Sequence, residues 1–325
     1  MDKDNNKKNS MDMLNGTIWN KLPKFALPIA ATGILEQLFN ASDIAIVGQF
    51  TGSNSTVSVA AVGANSPIIG LIVNLFIGIA LGSNVIIANS IGKNDVKAVK
   101  KAVHSSIIMA VLGGILVAII GELMVGGLLN MLNVPKDVLD FAKLYIRIYL
   151  IGMPVILLYN FEAAIFRSIG DTKVPLIALA FSGVLNVILN LFFVIVLKMT
   201  VNGVALATVI SNAVSASILF AKLLKTDKII HIELKQLRLD KRSVVNILKI
   251  GLPAGIQSAV FAIANIVIQA SINSLGTVVI AASSAAFNIE VFAYDVLNSF
   301  SQACTTFVGQ NYGAGNLKRC RRTFC

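Results

Sequence analysis

The chain has 325 residues, of which 56% are hydrophobic and 13% are charged, and its mean hydropathy is +0.79. Soluble domains carry about 25% charged residues, so this composition excludes an ordinary soluble protein. The formal net charge of +11 would suit nucleic-acid binding. However, the basic residues lie in short clusters between long apolar segments, and this distribution excludes a nucleic-acid partner.

Long apolar segments recur along the whole chain. Each is about twenty residues or longer, the length that a helix needs to cross roughly 30 Å of hydrocarbon, and the last of them is the most polar. The sequence therefore predicts an all-α, polytopic membrane protein with about eight transmembrane helices. The segments are 25–48, 57–82, 99–121, 144–166, 174–197, 203–224, 246–273 and 277–310.

The distribution of basic residues predicts the orientation. If the polar segment 1–24 is cytoplasmic, the predicted inward segments hold 23 lysines and arginines and the outward ones hold four. The positive-inside rule then places both termini in the cytoplasm, with some attraction to anionic membrane lipid. The first twenty residues contain no short apolar core with a cleavage site, so we expect the first helix to remain as an anchor.

Two parts of the sequence repeat. KFALPIAATGILEQLFNASD (24–43) aligns with KIGLPAGIQSAVFAIANIVI (249–268), and IGKNDVKAVKK (91–101) aligns with YGAGNLKRCRR (312–322). Six predicted helices precede the second copy, and an even number gives both copies the same orientation. Parallel repeats around an axis along the membrane normal are typical of transporters with a site between the halves.

The repeat divides the chain into four predicted parts. They are a cytoplasmic N-terminal segment (1–24), a first six-helix lobe (25–224), a cytoplasmic linker (225–245) and a partial second lobe (246–325) of two helices and a basic tail. A complete second copy would add four helices. We therefore expect the sequence to be a fragment of a longer transporter, monomeric when complete, and inactivity of the fragment alone is one alternative.

The first apolar segment carries a polar face. An ionised carboxylate at the bilayer centre costs about 2.5–3.5 kcal/mol on insertion scales, so this face must point into the protein or a wet cavity. The second copy has Phe261 and Ile268 at the positions of the two acids, so the acids are not needed to form the helix. They indicate an ion or proton pathway, or a structural hydrogen bond to a neighbouring helix. The face comprises Glu36, Gln37, Asn40 and Asp43.

Two later segments carry neutral polar pairs at helical spacing. Asn186 and Asn190 are one turn apart in the fifth segment, and Thr208 and Asn212 are one turn apart in the sixth. Their oxygens, with one carboxylate, could surround a desolvated Na⁺ or hold a proton on Asp43. The alternative is that they only join helices, for about 1 kcal/mol each.

Several other residues are candidates for smaller roles. Pro28 is expected to bend the first helix because it removes a backbone donor. Glu290 and Asp295 line a cleft or lie at the wet end of the last helix. Arg167, Asp171 and Lys173 belong to a cytoplasmic turn that we interpret as a structural clamp.

Isolated histidines and paired glycines carry weaker signals. His104 and His231 are interpreted as solvated side chains on the cytoplasmic side. The glycine pairs satisfy G-x-x-x-G, a spacing common in membrane helices. They are Gly48/Gly52, Gly78/Gly82 and Gly251/Gly255.

The chain resembles the multidrug and toxic compound extrusion (MATE) transporters over essentially its whole length. The resemblance rests on LPxxxxxxLEQLFNASDxxxVGxF in the first helix and FVGQNYGAG after the eighth, with RSIGDTKVP, LNVILNLFFV and GVALATVISN between them. It implies two six-helix lobes around a central cleft and export of small organic cations in exchange for Na⁺ or H⁺. It also implies a multi-pass protein of the bacterial cytoplasmic membrane, with no other cofactor and no enzymatic activity.

The resemblance also implies an ion-coupling site in the first lobe. Carried onto this sequence, the site consists of Asp43, Asn186, position 190 and Thr208. This chain departs from the family pattern at Asn190, where the family has an acid, and at Phe261, where some relatives carry a glutamate. Both changes remove negative charge, so the coupling ion stays open between Na⁺ and H⁺. The resemblance also links a bend at Pro28 to the protonation of the first-helix aspartate.

Two further functions are alternatives. A lipid or lipid-linked glycan flippase of related fold should carry a cationic central cavity for phosphate, and the sequence offers only Arg147 at membrane depth. A membrane-embedded enzyme has no support, because the chain contains no G-x-S-x-G, no H-E-x-x-H and no paired intramembrane histidine and aspartate.

Overall fold

The computed structural model describes residues 11–132, 134–273 and 277–324, and this part of the chain is helical. Ten α-helices follow one another with short connections. They are α1 (Ile18–Phe50), α2 (Ser55–Gly92), α3 (Val96–Met131), α4 (Lys136–Ile151), α5 (Met153–Ser168), α6 (Lys173–Leu191), α7 (Val201–Lys225), α8 (Lys241–Asn273), α9 (Thr277–Gly313) and α10 (Leu317–Phe324).

Six of the eight predicted apolar segments each fall within one of these α-helices, and the helical, apolar chain confirms a polytopic all-α membrane protein. By length and composition, five described helices can cross a membrane, and the α4–α5 pair makes a sixth if it counts as one span. This count is lower than the eight predicted. α1 is not among the five, and its run of apolar residues is interrupted by the polar face predicted from the sequence.

The predicted fourth segment, 144–166, is two helices rather than one. α4 and α5 meet at Gly152 with a bend of 50°. A Cβ at Gly152 would lie 2.3 Å from Val209 Cγ2, so a side chain does not fit there. Pro154, in the first turn of α5, has no N–H to donate back to α4. The break therefore has a local cause in the Gly-Met-Pro sequence.

Helices α2 and α8 approach each other closely through glycines. A Cβ at Gly78 would lie 2.2 Å from the Gly255 nitrogen, and one at Gly82 would lie 2.8 Å from the Gly251 nitrogen. Two of the three G-x-x-x-G pairs noted in the sequence therefore face one another. Small residues at such positions let two helix backbones pack directly, and here they join the two lobes.

The aligned segments 91–101 and 312–322 contain the same turn. Before α3, Asn94 has φ 56°, and Asp95 caps the helix by accepting from a backbone N–H at 3.0 Å. Before α10, 221 residues later, Gly315 has φ 74°, and Asn316 accepts the equivalent bond at 3.2 Å. Matching left-handed turns and caps support the repeat predicted from the sequence.

Salt bridges hold the segment between α7 and α8 against the start of α3. Lys100 Nζ lies 2.6 Å from Glu233 Oε1, and Lys101 Nζ lies 3.1 Å from Asp240 Oδ1. The bond from Lys100 holds the pKa of Glu233 below its ordinary value. His104 is 4% exposed, and its Nε2 accepts from the Glu233 amide at 3.2 Å. The prediction that His104 is solvated was therefore wrong, because the linker covers it.

Candidate functional site

Asp43 lies in a buried group of polar side chains drawn from three helices. We call Asp43 of α1, Asn186 and Asn190 of α6, and Thr208 of α7 the Asp43 cluster. Asn190 Nδ2 donates to Asp43 Oδ1, and Thr208 Oγ1 lies 3.1 Å from Oδ2. Asp43 is 5% exposed and Asn190 is fully buried. The structure brings the four residues together, and protein donors, not bulk water, hold the carboxylate.

The packing of α1 against α6 positions the cluster. A Cβ at Gly183 would lie 1.8 Å from the ring of Phe39, so the ring occupies the place where a side chain would be. Asn186 and Asn190 follow Gly183 on α6, as Asp43 follows Phe39 on α1. Just beyond Asn190 the chain forms a π-helical turn, Phe192–Val196. Such turns often occur at functional sites.

The hydrogen bonds of the Asp43 cluster are incomplete. Asn190 Nδ2 also lies 3.1 Å from Asn186 Oδ1, so its amide nitrogen serves two acceptors while Asn190 Oδ1 is buried without a partner among the described residues. Thr208 Oγ1 has one proton and lies within reach of both Asp43 Oδ2 and the Val204 carbonyl, at 3.0 Å from the latter. The cluster can therefore rearrange its donors without moving its backbone.

A second polar site lies between the lobes. A cavity of about 400 Å³ is bounded by α1, α2, α5, α8 and α9. Of the sequence candidates, Glu36, Gln37 and Glu290 line it, as does Asp295. The cavity and the Asp43 cluster are separate, although both depend on α1. The polar face of α1 thus serves two sites.

Arg167 also lines the cavity, which the sequence reasoning did not predict. Its Nη1 donates to Gln302 Oε1 of α9 at 2.9 Å, so it connects the first lobe to the second. The prediction that the central cavity lacks a cationic side chain was therefore wrong. Arg147 is 2.9 Å from Glu122 on a half-exposed surface and is not part of the cavity wall.

The interpretation of the turn as a clamp fits Asp171, which lies 3.2 Å from Lys228 Nζ.

Three sequence candidates contribute to neither site directly. Asn40 is exposed on α1 and lies outside the cavity lining. Asn212 Nδ2 donates to the Thr208 backbone carbonyl at 2.9 Å, one turn beyond the Asp43 cluster. Pro28 lies inside α1, which continues as a helix through it. The Pro28 carbonyl accepts from Thr32 Oγ1 at 2.9 Å.

One buried acid was missed altogether. Glu162 in α5 is fully buried, and neither carboxyl oxygen has a hydrogen-bond partner in the described part of the chain. The signal in the sequence was a lone acid within the apolar segment 144–166. Helical spacing does not point to it, because Leu158 and Phe166, one turn away on either side, are apolar.

Helices packed around a polar cavity, with a buried acid beside it in the chain, are typical of multi-pass membrane transporters. Similarity to known proteins identifies the family. The MatE family model matches residues 28–192 and 253–325, more than half of the chain. The chain belongs to the MatE family of multidrug efflux transporters.

Named relatives agree with this assignment. The chain is 26% identical to the probable multidrug resistance protein YoeA of Bacillus subtilis (strain 168), over 94% of this chain and 67% of that protein. It is 27% identical to the probable multidrug resistance protein NorM of Thermotoga maritima, over 91% of this chain and 64% of that protein. The chain thus spans about two thirds of the length of these relatives.

Solved structures show the same fold. Crystal structures of MATE in the bent and in the straight conformation each superpose with a TM-score of 0.87 and 23% identity. Each superposition covers 96% of this chain and 69% of the other. The arrangement of the helices is therefore that of a MATE transporter.

Proposed function

We propose that this chain contains the ion-coupling lobe and part of the substrate cavity of a multidrug efflux antiporter in the bacterial cytoplasmic membrane. The antiporter exports small organic cations in exchange for Na⁺ or H⁺. The Asp43 cluster is the observation that carries this proposal. It holds one carboxylate, buried and without a basic partner among the residues that contact it.

A single buried carboxylate is suited to monovalent ion exchange. Asp43 is neutral when it holds a proton, and it is balanced when it holds one Na⁺, so either state avoids a net charge inside the membrane. Rotation of the Asn190 amide would turn its unpartnered Oδ1 toward Asp43. Thr208 would at the same time donate its hydrogen bond to the Val204 carbonyl. Those two changes would convert donors to the carboxylate into oxygen ligands for a cation.

Coupling requires that the state of Asp43 affect the substrate cavity. α1 carries Asp43 and also Glu36, so a change in the helix alters both sites. Pro28 lies in the same helix and lacks the N–H that would otherwise brace the preceding turn. We assign Pro28 the role of letting the cytoplasmic half of α1 respond to ion occupancy.

The purified chain and a variant with Asp43→Asn test the coupling site. Proton release on Na⁺ addition and binding of radioactive Na⁺ are measured in detergent, since neither needs a complete transport cycle. We expect Asp43→Asn to abolish both signals, and to abolish gradient-driven dye export wherever the parent transports. Asp137→Asn, an identical change at an exposed site in α4, is the matched control. Equal ion binding by the parent and Asp43→Asn would refute the assignment.

The proposed orientation puts both termini in the cytoplasm. Its support is the excess of basic residues in the predicted inward segments. In a background without the natural cysteines, a cysteine at position 54 should react with an impermeant thiol reagent in intact cells. A cysteine at position 235 should react only after lysis. The reverse pattern would invert the topology.

A flippase for phosphate-bearing lipids is the weaker alternative. Arg167 in the cavity favours it, since a guanidinium binds phosphate well. The same cavity is also lined by the carboxyl groups of Glu36, Glu290 and Asp295. Three acids against one arginine favour a cationic substrate.

A further inference from the structure

We propose that residues 11–17, which precede α1, form a strap that closes the central cavity on its cytoplasmic side, and that Arg319 is the positioning residue that holds this strap in place. The inference rests on the proposed transport function and orientation, because it assigns the cavity a closed side. It concerns access to the cavity, and it is independent of the ligand in the cavity and of the ion that Asp43 exchanges.

The strap belongs to the first lobe. It continues directly into α1, and the Met11 amide donates to the Gly170 carbonyl, just after α5, at 3.3 Å. A Cβ at Gly170 would lie 2.7 Å from the Met11 carbonyl oxygen, and Gly170 has φ 84°, so this contact requires a glycine. If the two lobes separate at this end, the contacts that must break are therefore those between the strap and the second lobe.

Arg319 of α10 makes most of the polar contacts between the second lobe and the strap. Its Nε donates to the Met13 carbonyl at 3.1 Å. Its Nη1 donates to the Gly16 carbonyl at 2.7 Å, and its Nη2 donates to the Asn15 carbonyl at 3.0 Å. The planar guanidinium presents its donors in a fixed geometry, and hydrogen bonds from a charged donor are the stronger ones. Arg319 thus binds the folded backbone of the strap.

The Met13 side chain completes an apolar plug between the lobes. Met13 is 1% exposed and packs with Phe25 of α1 and Phe307 of α9, whose rings meet edge to face with centroids 6.0 Å apart. Asn311 of α9 is fully buried, and its Nδ2 donates to the Met13 carbonyl at 3.1 Å. The second lobe therefore fixes Met13 by its backbone while both lobes enclose its side chain.

The plug lies next to the cavity on both helices that form it. On α1, Ile29 belongs to the plug and also lines the cavity. On α9, Gln302 lines the cavity and the following residue, Ala303, belongs to the plug. The plug thus separates the cavity from the strap along both helices. Release of the strap would withdraw Met13 from the plug and weaken this barrier.

Thiol labelling of a cavity residue tests the strap. In the background without the natural cysteines, Ser258→Cys places one thiol on the cavity wall. A membrane-impermeant maleimide is applied to the full chain in inside-out vesicles and in intact cells. We expect Arg319→Ala to raise the labelling rate in inside-out vesicles about tenfold, because it removes the hydrogen bonds of a charged donor. It should not raise the rate in intact cells.

Two further variants accompany this measurement. Arg322→Ala makes the same change at an exposed position of α10 and should label like the parent. Met13→Ala shortens the plug while Arg319 stays in place, and it should also raise the rate in inside-out vesicles only. A variant that merely unfolds would label faster from both sides and lose its thermal unfolding transition, so loss of the fold is distinguishable from opening of the strap.

Three outcomes would refute the strap. They are labelling of Arg319→Ala and Met13→Ala no faster than that of Arg322→Ala, equally faster labelling from both sides, and faster labelling in intact cells alone. Ion binding separates this inference from its premise. Arg319→Ala should bind Na⁺ like the parent, because the Asp43 cluster lies outside the strap and the plug. Absence of Na⁺ binding by the parent would refute the ion-coupling proposal, whereas side-specific labelling would still support the strap.

Discussion

The two copies of the repeat share their backbone features and differ in their acids. α1 and α8 each contain an aligned proline, Pro28 and Pro253. α3 and α10 begin with matching left-handed turns and side-chain caps. Yet α1 carries Glu36 and Asp43, where the aligned positions of α8 carry an aromatic and an aliphatic residue.

The shared features concern the fold, whereas the acids that differ concern the chemistry of the sites. The features that both copies keep are the ones that determine where helices bend, begin and pack. The acids occur in one copy only, and the structure places each of them at a polar site. Asp43 lies in the Asp43 cluster, whereas the equivalent Ile268 is 55% exposed and has no polar group to hold. A helix of this type therefore forms without the acids, and the burial of Asp43 requires a functional explanation.

The largest expected effect comes from exchanging the side chains at positions 43 and 190. Asp43→Asn should reduce ion binding to below about a tenth of the parental level, because it removes the only charge of the Asp43 cluster. The double variant Asp43→Asn, Asn190→Asp returns one acid to the opposite side of the same hydrogen bond. We expect it to recover a substantial part of the binding, with altered pH dependence.

The measurement is Na⁺ binding and proton release across a pH series. Asn190→Asp alone serves as the control, and it should retain binding because it adds the acid found in the family pattern. Failure of the double variant to bind, with Asn190→Asp still active, would mean that the position of the acid matters and not only its presence.

The contact between the copies can be broken at a glycine. Gly78→Ala would bring a Cβ to 2.2 Å from the Gly255 nitrogen, and we expect a loss of about 1–3 kcal/mol of folding stability. Gly70→Ala in the same helix meets nothing within 4 Å and should be neutral or slightly stabilising. Thermal unfolding in detergent compares the two. Equal midpoints would show that α2 and α8 do not pack through these glycines in the membrane protein.

The equivalent caps give the smallest expected effect. Asp95→Ala and Asn316→Ala each remove a side-chain acceptor at a helix start, at a cost of about 0.5–2 kcal/mol. We expect both variants to lower the unfolding midpoint, and Asp95→Ala to lower it more because α3 packs along its length while α10 is short. Asp137→Ala, at an exposed position in α4, is the reference. A drop in one copy only would mean that the turns are similar in shape but not in role.

The sequence predicted the Asp43 cluster in full and the central cavity in part. Asp43, Asn186, Asn190 and Thr208 were found because helical spacing and the family pattern both pointed to them. Arg167 was missed because it follows an apolar helix and precedes a turn, and sequence order cannot reveal that α9 reaches across to it.

The sequence also could not predict which single polar residues are buried. His104 appears polar and cytoplasmic, but the linker after α7 covers it. Asn40 shares the polar face of α1 yet lies on neither site, because α6 and α9 pack on other parts of that helix.

The sequence by itself determined that this protein is helical, lies in a membrane, repeats itself and carries acids where acids are costly. These properties depend on composition and on periodicity along one helix, which neighbouring residues specify. Only the tertiary structure decided which acids share a site, that Phe25 and Phe307 meet beside the cavity, and that Arg319 holds the segment before α1. Those properties depend on the distance between helices far apart in sequence, and close packing at residues such as Gly78 and Gly183 sets that distance.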